Sequence, residues 1–211
     1  MIYFTSDLHI QHVRILELMP TRPWETLEDM NQGLIKNFNQ MIGHDDFVIF
    51  LGDVVMGHKY TTIPKYLSLL HGRKVLVMGN HDLAFLDPRP GKEEDGEQQY
   101  INAGFTKVYR GQVQLEKILL ECNEPIPYDL SHVMVSHFPF AGTADHDNYE
   151  ARYADYMVED KGQYLFSGHT HQLIPVTRNR NINVGVDAWN FFPVALDTLM
   201  LTVNSYAQTN E

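Results

Sequence analysis

Five short apolar runs in this chain end in the same way. Residues 2–5 lead into Ser6-Asp7, 47–51 into Gly52-Asp53, 75–78 into Gly79-Asn80, 133–135 into Ser136-His137, and 164–166 lead, through Ser167, into Gly168-His169. Each run is rich in β-branched and aromatic residues and reads as a buried strand. Each closes on Ser or Gly followed by a side chain able to bind metal. The small residue lets the backbone turn tightly and bring that side chain close to its neighbours. In an open α/β sheet, ligands bind beyond the carboxyl ends of the strands. The pattern therefore demands a fold that gathers five strand ends at one place. Every gap between these ends exceeds the roughly dozen residues that a crossover connection needs.

Between the strands the periodicity changes. Residues 26–41 carry Leu27, Met30, Leu34, Phe38 and Met41 at 3–4 spacing, which predicts an amphipathic helix. A shorter helix is expected over 62–70, with Pro64 near its start. Strand, helix, strand, helix in the first half implies a largely parallel sheet. Residues 105–121 are expected to form a hairpin turning at Gly111. "NINVGVD" and "LDTLMLTV" are expected to be two late strands, and the Pro-, Gly- and charge-rich segment 87–99 a surface loop. The polar tail after Asn204 is expected to fray. No repeat is visible, and 1–211 reads as a single domain.

Composition limits the function classes. The net charge is −11, which disfavours strong non-specific binding to nucleic acid, a property that rests on Lys and Arg. One cysteine, Cys122, permits no intramolecular disulfide and suits a reducing compartment. The N-terminus has no signal-peptide pattern, and no apolar run approaches the roughly 18 residues of a membrane span. A cytoplasmic protein without membrane partners is expected.

Two strand ends carry a second group: "SDLH" gives Asp7 and His9, and "GHTH" gives His169 and His171. A spacing of two puts both side chains on one face of an extended segment. The candidate ligands are thus Asp7, His9, Asp53, Asn80, His137, His169 and His171. This mixture of imidazole, carboxylate and amide suits Mn, Fe, Zn, Co or Ni better than Mg or Ca. Seven ligands exceed one tetrahedral site and suit two divalent ions sharing a carboxylate. Two such ions facing two carboxylates leave a charge of about +2, favourable to a phosphate, and a pair roughly 3.5–4 Å apart clamps in-line attack at phosphorus by a bridging hydroxide. His81, in "GNHD", is left to stabilise developing charge or protonate the leaving oxygen. Asp82 is expected to act with it by orienting a nearby imidazole.

Taken in order, "DLH", "GDVV", "GNHD", "SHFP" and "GHTH" resemble the calcineurin-like metallophosphoesterase superfamily, and "FTSDLHIQH" with "INVGVDAWNFFPV" resembles its small phage and bacterial branch. The resemblance implies a four-layer α/β/β/α sandwich, two mixed β-sheets flanked by helices, with a dinuclear site at the strand C-terminal ends. It implies that one metal takes Asp7, His9, Asp53 and His171, and the other Asp53, Asn80, His137 and His169. It also implies that His81 is the catalytic histidine.

The resulting expectation is a metal-dependent phosphoesterase, with a phosphodiester preferred and two divalent ions, manganese first. Its substrate would be a small phosphoester or nucleotide, with His12 and Trp189 on the pocket wall. A phosphomonoesterase or nucleotide pyrophosphatase with the same machinery is the alternative. A non-catalytic scaffold of the same fold is the alternative of another class. Arg14, Arg73, Arg178 and Arg180 are weaker candidates for phosphate contacts, and Asp187 for the edge of the site. Asp145, His146 and Asp147 resemble a metal patch but read as a loop.

Overall fold

The computed structural model describes residues 1–83, 85, 91–142, 153–176 and 180–210. Among the described residues nine strands build two mixed sheets. The first holds β1 (Ile2–Thr5), β2 (Phe47–Phe50), β3 (Arg73–Val77), β4 (Phe105–Tyr109) and β9 (Val194–Ala195), in the order β4-β3-β2-β1-β9. The second holds β5 (Val113–Gln114), β6 (Val133–Val135), β7 (Tyr164–Ser167) and β8 (Asn181–Asn183), in chain order. β1 to β4 run parallel with β9 antiparallel, and β6 to β8 run parallel with β5 antiparallel. The five sequence-predicted strands are all present, so their C-terminal ends point to the same end of each sheet.

The core divides between the faces. Phe4, Ile49, Leu51, Val75 and Val77 from the first sheet meet Val133, Val135, Phe166 and Ile182 from the second. Phe4 and Phe166 join the sheets edge to face, with ring centroids 5.4 Å apart, a favoured aromatic geometry. The other face of the first sheet, with Tyr3, Val48, Phe50 and Leu76, packs against helix α2 (Leu27–Met41) through Met30, Leu34 and Phe38. Thr26 caps α2 by accepting the Asp29 N–H at 3.1 Å, which satisfies one of the orphan donors of its first turn.

Helix α1 is short (Ile15–Leu18), and α3 (Lys59–Thr62) runs into a π-helical turn over Ile63–Leu67. That turn replaces part of the regular helix expected over 62–70.

Four other expectations are corrected. Residues 105–121 form no hairpin: Gly111 (φ 73°) lies where the chain crosses between sheets, so β4 and β5 belong to different ones. Residues 115–121 continue as helix α5 (Leu115–Glu121), burying Leu115, Ile118 and Leu119. "LDTLMLTV" is not a strand but the start of helix α6 (Leu196–Asn210). Its buried Leu196, Leu199, Met200 and Val203 follow the 3–4 period, and the helix continues through the tail expected to fray. The described part of the expected loop 87–99 belongs to helix α4 (Lys92–Asn102), anchored by the fully buried Tyr100. Arg178 and the 145–147 patch lie outside the described residues.

If the inter-sheet contact dominates the core, Phe4→Ala will cost about 3–5 kcal/mol of unfolding free energy. A shift of the urea midpoint with unchanged slope measures it.

Candidate metal centre

The strand ends converge. Asp7 and His9 follow β1, Asp53 follows β2, and Asn80 to Asp82 follow β3; His137 follows β6, and His169 and His171 follow β7. Backbone bonds lace these ends together: the Asp7 N–H donates to Gly52 O at 3.1 Å, His9 N–H to Asp53 O at 3.0 Å, and Gly168 N–H to His137 O at 3.1 Å. The small residues have a steric cause. A Cβ on Gly52 would lie 2.5 Å from the Gly79 nitrogen, and one on Gly168 would lie 2.0 Å from Ser6 Oγ. Gly52 also sits at φ 87°, a conformation open to glycine at little cost.

All seven sequence-predicted ligands come together. His9 Nε2 faces His171 Nε2 at 3.1 Å. His137 Nε2 faces His169 Nδ1 at 3.1 Å and Asn80 Oδ1 at 2.9 Å. Between these groups lies Asp53, whose Oδ2 is 3.6 Å from His9 Nε2 and 3.6 Å from His137 Nε2. Asp7 Oδ1 lies 3.9 Å from His9 Nε2 and 4.0 Å from His171 Nε2, and has no hydrogen-bond partner although buried.

This arrangement fits cations. An unpaired buried carboxylate oxygen is costly without a counter-charge. Imidazole nitrogens about 3 Å apart are spaced as ligands of one ion with bonds of about 2.0–2.1 Å would be. Asp7, His9 and His171 form one such group, and Asp7, Asp53 and His137 another, with the ligand atoms of each within 4.8 Å of one another.

Tautomers are set from behind. His137 donates its Nδ1–H to Leu51 O at 2.8 Å, and His171 its Nδ1–H to Asp187 Oδ2 at 2.8 Å. Both therefore turn Nε2 lone pairs toward the centre.

Neighbouring residues divide into those beside the cluster and those that brace it. The His81 ring stands edge-on to His9, centroids 5.5 Å apart, while its backbone N–H donates to Asp53 Oδ1 at 2.8 Å. His12 lies beside both rings, 5.2 Å from His9 and 6.4 Å from His81. The described partners of Asp82 are not imidazoles. It accepts the N–H groups of Asp53 at 2.9 Å, Val54 at 3.3 Å and Gly79 at 2.8 Å, and the Tyr100 hydroxyl at 3.0 Å. Asp82 thus fixes the loops that carry Asp53 and Asn80 and ties them to α4. Trp189 is placed by packing: its indole N–H donates to Asn183 O at 2.8 Å and its ring lies against the inter-sheet core. Arg14 pairs with Glu17, Arg73 with Glu124 and Arg180 with Asp160.

Sequence reasoning gave Asp187 only a weak place and Arg22 none. Asp187 follows β8 after Gly185, so it repeats the strand-end pattern in a sixth strand, one residue later. Arg22 lies in a loop between α1 and α2, where no local signal marks it.

Burial dominates the electrostatics. It raises Asp53 to about 7; His137 opposes this, while Asp82 and Asp7 add to it. Burial lowers His169 to about 2 and His81 to about 4, helped by His137 in both cases and by Lys59 at His81, and it holds His9 well below the usual imidazole range. His171 is the exception. Burial disfavours its cation, but its hydrogen bond to Asp187 and the charges of Asp7 and Asp187 prevail and raise its pKa.

The comparisons with known proteins agree with this geometry. The family model for the calcineurin-like phosphoesterases matches residues 1–173. The chain belongs to that family. The family implies metal-dependent phosphoester hydrolysis, and the phosphoesterase carries the ligand groups for it. It is 32% identical to the Gene 66 protein of Mycobacterium phage L5 over 195 residues, 89% of this chain and 86% of that one. It is also 32% identical to the Gene 66 protein of phage D29, covering 96% of each. The uncharacterized protein MJ1445 of Methanocaldococcus jannaschii is 29% identical, over 94% of this chain and 89% of that one. The crystal structure of AQ665, a protein of unknown function from Aquifex aeolicus, shares the fold at a TM-score of 0.62 and 21% identity, covering 96% of this chain and 98% of that one. No described helix of the phosphoesterase is long and apolar enough to cross a membrane.

Metal binding must displace the proton that Asp53, raised to about 7, takes up as the pH falls, and the raised pKa of His171 adds to that competition, while His9 and His169 are already neutral near pH 7. Mn²⁺ affinity will therefore fall by about tenfold or more from about pH 8 to about pH 6. Calorimetric titration in two buffers of different ionisation enthalpy measures both the affinity and the protons released.

Proposed function

We propose that the protein is a phosphodiesterase, a single domain over residues 1–211 acting in the cytoplasm with two divalent transition-metal ions, manganese first. The observation that carries this reading is the position of Asp53 Oδ2, 3.6 Å from a nitrogen of each ligand group, which suits one carboxylate shared by two ions. In this reading Asp7, His9, Asp53 and His171 hold one ion, and Asp53, Asn80, His137 and His169 hold the other. When bound, the ions supply positive charge to the phosphate oxygens and lower the pKa of a water molecule.

The protein groups do the rest. His81, held beside the cluster by its backbone bond to Asp53, donates a hydrogen bond to the phosphate and stabilises the charge that develops as the leaving oxygen departs. His12 lines the pocket next to it. Asp82 serves His81 indirectly, by fixing the loop from Gly79 onward.

The preference for a diester follows from the cations around the site. Arg14, Arg73 and Arg180 are occupied in ion pairs elsewhere, and Lys59 donates to Val55 O at 2.7 Å. Among the described residues no arginine clamp supports the metals, so a singly charged diester is better matched than a dianionic monoester. The substrate is a small phosphodiester, with nucleotide diesters included.

With Mn²⁺, kcat/KM for bis(p-nitrophenyl) phosphate will exceed that for p-nitrophenyl phosphate by at least about tenfold; the opposite ratio makes the protein a monoesterase. His81→Ala will keep both ions by elemental analysis and lose about 10²–10⁴-fold in kcat. Unchanged turnover in that variant removes His81 from the reaction.

A further inference from the structure

Arg22 is the cation that the hydrolytic reading leaves unused, and it is fully buried. Its side chain and that of Asp187 are both 0% exposed. Nε donates to Asp187 Oδ1 at 2.9 Å and one terminal nitrogen to Asp187 Oδ2 at 2.9 Å. That same nitrogen donates to Asp7 O at 2.7 Å, and the other donates to Leu8 O at 2.9 Å. The planar guanidinium thus grips a carboxylate and two successive backbone carbonyls at once, which a lysine ammonium does not reproduce.

These contacts fall on one half of the ligand cluster. The carbonyls of Asp7 and Leu8 fix the turn that presents Asp7 and His9, both at positive φ (57° and 52°). Asp187, held by Arg22, accepts the Nδ1–H of His171 at 2.8 Å and so aims its Nε2 at His9. The other half has different supports. His137 is oriented by Leu51 O, and the loops of Asp53 and Asn80 by Asp82. The halves meet at Asp53, and through the His169 N–H that donates to Asp7 Oδ2 at 2.9 Å.

We propose that Arg22 and Asp187 are positioning residues for one metal only, the one held by Asp7, His9 and His171, and that disrupting them turns a two-metal protein into a one-metal protein. The inference rests on the two-metal reading above. It adds that the sites are separable, because Arg22 and Asp187 bond to the Asp7–Leu8 carbonyls and to His171 on this side, whereas Asp82 fixes the loops of the shared Asp53 and of Asn80. A merely structural Arg–Asp staple would affect stability and leave the metal count and ligand geometry unchanged.

The test is Mn²⁺ stoichiometry by equilibrium dialysis, with electron paramagnetic resonance of the loaded protein. The wild type is expected to hold two ions per chain with a spin-coupled signal. Asp187→Asn keeps the shape but loses the charge. It is expected to retain one tight ion and bind the second at least about tenfold more weakly, with the six-line signal of an isolated Mn²⁺. Removing one member of a buried pair can unfold a protein. The double variant Arg22→Met/Asp187→Leu removes both charges at similar volume and is expected to give the same one-ion result. Should either folded variant hold two ions with wild-type affinity and coupling, the positioning role is overturned. Loss of both ions to the same degree from a folded variant overturns the separability of the sites. A wild type that holds no coupled pair defeats the two-metal reading itself, which separates the two failures.

Discussion

The whole site depends on how closely the two sheets approach at one end. Strands β1 to β3 and β6 to β7 deliver their ligands within a few ångströms of each other only because the backbones touch there. The space that a Cβ would need at Gly79 is taken by the His137 ring, and the space at Gly168 by Ser6. Hydrogen bonds across the ends make the same point: the His137 Nδ1–H donates to Leu51 O at 2.8 Å, and Val186 N–H donates to Ser6 O at 3.1 Å. Farther from the site the sheets are held apart by Phe4, Phe166 and the aliphatic residues around them. The sandwich core thus sets the spacing, and the small residues at the strand ends exploit it.

That approach is strained. Asp7, His9, Asp53, His169 and His171 all sit in the left-handed region, with φ of 57°, 52°, 53°, 72° and 52°. Each such residue costs of order 1–3 kcal/mol and persists only where its surroundings over-determine it. The over-determination is visible. Asp7 and His9 are pinned through Gly52 and Asp53 on one side and Arg22 on the other, His169 through the carboxylate of Asp7, and His171 through Asp187. A cluster of like partial charges facing one another gains nothing from this strain by itself. The gain comes when a cation fills the centre, so the backbone strain and the unpaired Asp7 oxygen point to the same requirement.

What was legible in the sequence follows from which forces are local. The strand ends could be read because a tight turn and a ligand leave a two-residue mark, repeated five times. Asp187 carries the same mark at β8, shifted by one residue. Helix α6 was misread because Leu196, Leu199, Met200 and Val203 are embedded among other apolar residues that blur the period. Helix α4 was misread because its stability is tertiary: Tyr100 is buried and its hydroxyl donates to Asp82, while the rest of the segment is charged. The crossing at Gly111 looks locally like a hairpin turn, and only the partner of β5, which is β6, shows otherwise. Arg22 left no sequence signal because its meaning lies wholly in contacts 15 and 165 residues away.

Arg22 also bears on how an acidic chain holds an anion. The protein carries a net charge of −11, and four carboxylates lie buried at or behind the site: Asp7, Asp53, Asp82 and Asp187. If all four acted on the centre, two divalent ions would be cancelled and a phosphate would meet no attraction. They do not act equally. Asp187 is neutralised by the guanidinium against it, and Asp82 is surrounded by the dipoles of three backbone N–H groups and a tyrosine hydroxyl, which stabilise its charge locally. Asp7 and Asp53, nearest the centre, oppose the ions most. The centre then keeps a charge of about +2 in a protein whose surroundings are negative. In the two-metal reading proposed above, a phosphoester would be drawn there by the ions, without a clamp from the described surface arginines Arg14, Arg73 and Arg180.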